Sequence, residues 1–218
     1  MSTKRLSGKR VASVFVLLLA AGVAVLIARF FHDETPTGPI LATTPVGDGT
    51  SLTLRGAAGS KNFVILSRER ADGSFAWHDT LFGAVSGAKP LAVDGLAVVR
   101  AHTSRGLPET QAYRLNDGAL AWRAGRPDEG AHLSGRGPDV VHGGKLYAFY
   151  EGSPGWLIVL ALVDGHELSR QPIEKASGPL TAQTTPQGIM VSSPSGPVLR
   201  VRFGDAKGAA TAADAPAR

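Results

Sequence analysis

The sequence contains no cysteine and few large aromatic residues. Without cysteine there is no disulfide framework, no thiol nucleophile, no zinc site built on thiolates and no attachment point for an N-terminal lipid. With 3 Trp and 3 Tyr in 218 residues, the chain has too few aromatic side chains for a nucleic-acid stacking platform. Glycine and proline are frequent, at 27 and 14 residues, but stay below the content of disordered or collagen-like chains.

Acidic residues are absent from the first 31 positions, which carry five basic residues. The formal net charge is +5, so this N-terminal excess accounts for all of it and the rest of the chain is neutral. The pI of about 9.8 therefore indicates no basic surface for nucleic acid. We expect no nucleic-acid partner.

Residues 11–28 (VASVFVLLLAAGVAVLIA) form a long apolar run. As a helix this run spans roughly 27 Å, close to the hydrocarbon thickness of a bilayer. Four cations precede it, so the positive-inside rule predicts a cytoplasmic N-terminus. We expect a single-pass anchor over residues 11–31 in a bacterial inner membrane, with the C-terminal domain in the periplasm. The alternative is a cleaved signal peptide, but the run is longer than usual for one and ends without a small-x-small site.

Composition divides the remaining chain. Residues 1–10 form a basic cytoplasmic N-terminus, and residues 32–44, rich in proline, threonine and glycine, are predicted to be a periplasmic linker. Residues 45–203 hold alternating apolar segments and form the expected folded domain. Residues 204–218 are rich in glycine and alanine and are predicted to be a flexible tail.

An internal repeat dominates residues 45–203 and recurs about every 45 residues. Its clearest element reads DGSFAW from Asp72 to Trp77 and DGALAW from Asp117 to Trp122. A degraded copy, DGHELS, begins at Asp164. Each copy follows a strand-like apolar segment. Asp-Gly between two such segments predicts a tight hairpin, because glycine accepts positive φ and aspartate bonds its own backbone.

The predicted structural positions of the repeat are therefore the three turns and the two indoles. The turn glycines are Gly73, Gly118 and Gly165, and the tryptophans are expected to pack between neighbouring units. A second element, proline followed by an apolar segment and a glycine turn, recurs in step with the first and begins at Pro45, Pro90, Pro138 and Pro179. Two hairpins per unit predict four-stranded antiparallel sheets, and about four such units fit.

This pattern resembles the repeat of the pyrroloquinoline-quinone-like (PQQ-like) β-propellers. The resemblance implies an all-β fold of propeller blades, here about four, in a small or incomplete ring after one transmembrane helix. That family includes quinoprotein dehydrogenases and non-catalytic periplasmic scaffold lipoproteins of outer-membrane assembly. The dehydrogenases form much larger rings and use a disulfide beside the cofactor, which this chain does not have. The resemblance thus implies the scaffold type.

No catalytic, cofactor or metal site is expected from the sequence. The six histidines show no spacing typical of a local metal site. The repeated aspartates have a structural explanation in their turns, and no nucleophile elbow is present. The leading hypothesis is a non-enzymatic, membrane-tethered interaction module of a cell-envelope assembly.

Three questions stay open from the sequence. One alternative function is a sensor that binds a small molecule or glycan, and another is a degenerate quinoprotein-like subunit. The partner is another envelope protein or a second copy of the chain. The blades form a closed ring, half of a dimeric ring, or an arc that a partner completes.

Overall fold

The computed structural model describes most of the chain after residue 37. The described residues are 38–60, 62–83, 89–103, 106–124, 137–152, 154–174, 178–203 and, for the backbone alone, 210–212. Among these residues no helix is long and apolar enough to cross a membrane. The predicted cytoplasmic segment 1–10 and anchor 11–31 lie outside the described residues.

The described chain folds into four antiparallel sheets of four strands each, which confirms the predicted all-β blades. We number the sheets blades I to IV in chain order. Blade I consists of β1 (Ile40–Val46), β2 (Thr50–Gly56), β3 (Phe63–Glu69) and β4 (Phe75–Phe82). Blade II consists of β5 (Leu91–Val93), β6 (Leu96–His102), β7 (Pro108–Arg114) and β8 (Leu120–Ala124).

The last two blades repeat this order. Blade III consists of β9 (Asp139–His142), β10 (Lys145–Tyr150), β11 (Gly155–Ala161) and β12 (Glu167–Ile173). Blade IV consists of β13 (Thr181–Thr185), β14 (Gly188–Ser193), β15 (Gly196–Arg202) and β16 (Ala210–Ala212). Within each blade consecutive strands are neighbours. Because strands alternate in direction, the first and third hairpins of a blade share one end, which we call the turn end. The other connections lie at the loop end.

Side-chain alternation gives each blade two faces. We call the face toward the following blade the forward face and the opposite one the back face. On β2, Leu52 and Leu54 point forward and pack against Ala97, Val99 and Tyr113 on the back of blade II. The strands are buried on both faces where two blades meet. Their sequences therefore read as continuous apolar segments rather than as strict alternation.

Three core clusters join the blades in chain order. The first joins blades I and II, the second blades II and III, and the third blades III and IV. In the third cluster Tyr147 and Phe149 of β10 pack against Ile189, Val191 and neighbouring residues of blade IV. Within the described residues no cluster joins blade IV back to blade I. The core therefore lies between the sheets, at the three junctions.

Two boundaries differ from the sequence-based expectation. Strand β1 begins at Ile40, inside the range 32–44 predicted as linker, and β16 lies inside the range 204–218 predicted as tail. Both are outer strands of their sheets; β16 contains no large apolar residue, and Ile40 and Leu41 of β1 are exposed. Main-chain hydrogen bonds hold both strands in their sheets, since β1 pairs with β2 and β16 pairs with β15. Composition does not report that kind of stabilisation.

A buried ion pair crosses the junction between blades II and III. Arg100 points forward from β6 with 1% of its surface exposed. Its Nε donates to both carboxylate oxygens of Asp139 at 3.0 Å, and its Nη1 donates to the Phe149 carbonyl at 2.5 Å. The guanidinium carbon lies 4.4 Å from the ring centre of Tyr150. Burial raises the pKa of Tyr150, whose hydroxyl is 3.0 Å from Thr110 Oγ1.

Breaking this pair is expected to destabilise the junction more than removing it. Arg100→Met leaves the Asp139 carboxylate without its cation, which typically costs about 3–5 kcal/mol in a buried setting. The double variant Arg100→Met/Asp139→Leu removes both charges and should recover about 1–2 kcal/mol of that loss. Urea unfolding of the three proteins measures both effects. A double variant less stable than Arg100→Met would contradict the assignment.

Candidate interaction site

The repeated aspartates all cap their own hairpin turns. The backbone N–H two residues further on donates to Oδ1 of Asp72, Asp117 and Asp164, in each case at 2.9 Å. The bond from the Ser74 hydroxyl lowers the pKa of the Asp72 carboxyl, and the Arg114 guanidinium does the same for Asp117. These carboxylates lie at the turn end and are engaged in local structure.

The two repeated tryptophans join neighbouring blades. Trp77 Nε1 donates to the Leu115 carbonyl of blade II at 2.7 Å, and Trp122 Nε1 donates to the Leu162 carbonyl of blade III at 2.9 Å. The indole of Trp122 lies against the turn of Gly165, where a Cβ would come within 2.6 Å of the ring. Sequence reasoning missed the two leucine carbonyls, because backbone acceptors leave no signal in side-chain identity.

The contact between an indole and a glycine turn is absent at two positions. In blade III the position equivalent to Trp77 and Trp122 is Ser169. In blade I no atom lies within 4 Å of a Cβ built on Gly73. The blade I turn is also one residue shorter, since Arg70 N donates to Ser74 O. Among the described residues the indole contact therefore joins blade I to blade II and blade II to blade III, and the junction of blades III and IV has no equivalent.

The glycine turns provide a matched test of docking. Gly165→Ala and Gly73→Ala both place alanine at positive φ, 72° and 80° respectively, which costs about 1 kcal/mol each. Only Gly165→Ala also overlaps an indole, which should cost a further 1–3 kcal/mol or so. The measurement is the free energy of unfolding in urea.

The double variant Gly165→Ala/Trp122→Ala is the control for this comparison. Removing the ring should abolish the extra cost of the alanine, because the overlap is gone. Equal destabilisation by Gly165→Ala and Gly73→Ala would mean that the turn glycine is needed only for its φ.

The back face of blade I carries a largely buried polar cluster. Arg55 Nε and Nη2 donate to the two oxygens of Glu69 at 2.9 and 3.0 Å, and the Ser67 hydroxyl donates to the same carboxylate at 2.9 Å. The hydrogen bond from Arg55 holds the pKa of Glu69 below its usual range. Ser67 is 0% exposed and the Arg55 and Glu69 side chains are 20% and 12% exposed, so charge-assisted hydrogen bonds hold this pair in a mostly buried setting.

Exposed apolar side chains collect along the loop end of blade I. Ile40 and Leu41 at the start of β1 are 57% and 56% exposed, and Phe82 at the end of β4 is 36% exposed. Phe82 meets Phe63 edge to face, with ring centres 5.4 Å apart. We call Ile40, Leu41, Phe63 and Phe82 the apolar margin. It extends across the width of the sheet, about 14 Å at 4.8 Å per strand.

The apolar margin is a concentration rather than a scatter. The described part of the chain has six exposed large hydrophobic residues, and three of them belong to the margin. The other three, Leu120, Val163 and Leu168, are on different strands and turns of blades II and III. Grouped exposed apolar side chains mark interaction sites far more often than single ones.

The described residues contain no group of three histidine, aspartate or glutamate side chains close enough to hold a metal ion. The buried carboxylates have structural contacts instead. Glu109 Oε1 accepts from Gln111 Nε2 at 2.5 Å, and Glu151 Oε1 accepts from the Leu180 backbone N–H at 2.7 Å.

Comparison with protein families agrees with this architecture. The model of the family described as outer membrane protein assembly factor BamB matches residues 19–214. The chain belongs to this family. Membership, together with the four sheets, confirms the predicted PQQ-like β-propeller repeat. A comparison with curated proteins gave no match.

Similar solved structures include one protein that carries the name in the family description. BamB from Moraxella catarrhalis is 17% identical, with a TM-score of 0.48, and the match covers 78% of this chain and 46% of that one. A europium-containing methanol dehydrogenase is 13% identical (TM-score 0.48; 65% and 27% covered). A quinohemoprotein alcohol dehydrogenase from Pseudomonas putida HK5 is 14% identical (TM-score 0.45; 77% and 33% covered). The present chain spans less than half the length of these structures.

Proposed function

We propose that the protein is a non-enzymatic interaction module of the bacterial cell envelope, tethered to the inner membrane with its blades in the periplasm. Membership of the BamB family supports a role in protein assembly at the envelope. The apolar run at residues 11–28 and its preceding cations support the tether. The engagement of the repeated and buried carboxylates in turns and backbone contacts supports a role without catalysis.

The apolar margin is the observation that carries this proposal. Ile40 and Leu41 are more than half exposed and Phe82 is 36% exposed, so their burial against another protein would remove apolar surface from water. The margin begins at Ile40, nine residues after the end of the proposed anchor. Nine extended residues span at most about 30 Å, so the expected partner is a protein that lies close to the inner membrane.

Site-specific crosslinking tests the margin directly. A photoreactive amino acid at Leu41 should give one discrete crosslinked product with an envelope protein in intact cells, because this side chain would lie in the interface. The same group at Val163, which is 83% exposed on a blade III turn, is the matched control and should give little product. Products of equal yield at both positions would argue against a margin-specific partner.

The tether is tested separately. The full-length protein should stay in the membrane fraction after alkaline carbonate extraction, because an apolar helix of this length does not leave the bilayer. A reporter active only in the periplasm should be active when fused after residue 212. Release of the protein by carbonate would mean that residues 11–31 are not an anchor.

A further inference from the structure

Two arginines lie side by side on the forward face of blade IV. Arg200 and Arg202 are two residues apart on β15, so their side chains leave the same face of the sheet. The alternate residues, Leu199 and Val201, pack against blade III. Both arginines are exposed, and the strand geometry separates their Cα atoms by about 6.7 Å.

These arginines have no carboxylate partner among the described residues. Most other arginines in the described part do have one: ion pairs join Arg55 to Glu69, Arg68 to Asp48, Arg100 to Asp139, Arg114 to Asp117 and Arg170 to Glu167. Residues 178–203 contain no aspartate or glutamate at all. Within residues 178–203, the forward face of blade IV thus carries a local positive charge without an acidic side chain beside it.

The arginines also line a pocket of about 590 Å³. Met190 pairs across the sheet with Arg200, and Gly188 pairs with Arg202, so the wall beside Arg202 has no side chain. Thr185 and Gln187 line the same pocket and supply polar groups at its border. A Cβ at Gly188 would overlap the Val201 carbonyl at 1.9 Å, so close strand packing requires glycine and leaves this depression open.

We infer that this face binds an extended acidic segment of a partner protein. In an extended chain, residues i and i+2 point the same way and repeat every 6.6–6.8 Å or so, which matches the spacing of the two arginines. Carboxylates at i and i+2 can each meet one guanidinium as a charge-assisted pair. An apolar contact is available from Met190, which lies across the sheet from Arg200. This inference rests on the proposed role as an interaction module and names the chemistry of one partner segment.

Two synthetic peptides of equal charge test the spacing. The first is Thr-Thr-Glu-Thr-Glu-Thr-Thr and the second is Thr-Thr-Glu-Glu-Thr-Thr-Thr, both blocked at their ends and labelled for fluorescence anisotropy. The full-length protein in an uncharged detergent should bind the first peptide at least about fivefold more tightly, because only that peptide places both carboxylates on one side. Affinity should fall as salt is raised.

Charge variants locate the binding. Arg200→Gln/Arg202→Gln should weaken binding of the first peptide at least about fivefold. The matched control Arg70→Gln/Arg114→Gln removes the same charge from turns of blades I and II and should change affinity by less than about twofold. Equal affinity for the two peptides, or an unchanged affinity in the first variant, would overturn the inference.

Other occupants give different results, and each of them overturns the inference. Displacement of the peptide by inorganic phosphate at the same concentration as unlabelled peptide would indicate a site for a compact anion. Arginine-dependent binding to vesicles with anionic phospholipid, without peptide binding, would indicate a membrane surface. If peptide binding fails while crosslinking from Leu41 persists, only this inference fails. Loss of both results would also remove the proposed function.

Discussion

The packing of an indole ring on a glycine turn of the next blade controls how blades I, II and III assemble. A side chain at Gly118 or Gly165 would come within 2.6 Å of the ring, so the ring sets the distance between blades. The hydrogen bond from each indole N–H to a leucine carbonyl on the same turn sets its rotation. The Asp-Gly pair therefore closes a hairpin within one blade, and the same turn is the surface on which the indole of the preceding blade packs.

Among the described residues, blades I and IV each have one outer face, here called an end face, that joins no core cluster with another blade. Inner forward faces carry Leu54 or Phe149 and are buried in core clusters. The end faces instead carry Arg55 with Glu69 on blade I and Arg200 with Arg202 on blade IV.

The sequence predicted what depends on local chemistry. Asp-Gly turns, the interblade tryptophans and the number of blades follow from short motifs at a regular spacing. The contact of Arg100 with Asp139 joins residues 39 positions apart and depends on how two sheets face each other, so no motif reports it. The apolar margin was missed for a similar reason. Ile40 and Phe82 are far apart in sequence, and only strand register places them at the same end of one sheet.

The chemistry of the two ends differs, and this difference matters for an interaction module. The apolar margin of blade I can stabilise a complex through the hydrophobic effect, which does not depend on direction. The two arginines of blade IV favour a partner whose negative charges have the same spacing. The blades between them supply rigidity. Buried at 1% exposure, Arg100 bonds both a side chain and a backbone carbonyl of blade III, so blades II and III cannot slide past each other without leaving a charge unpaired. This buried contact thus fixes the register of the two blades that lie between the two surfaces.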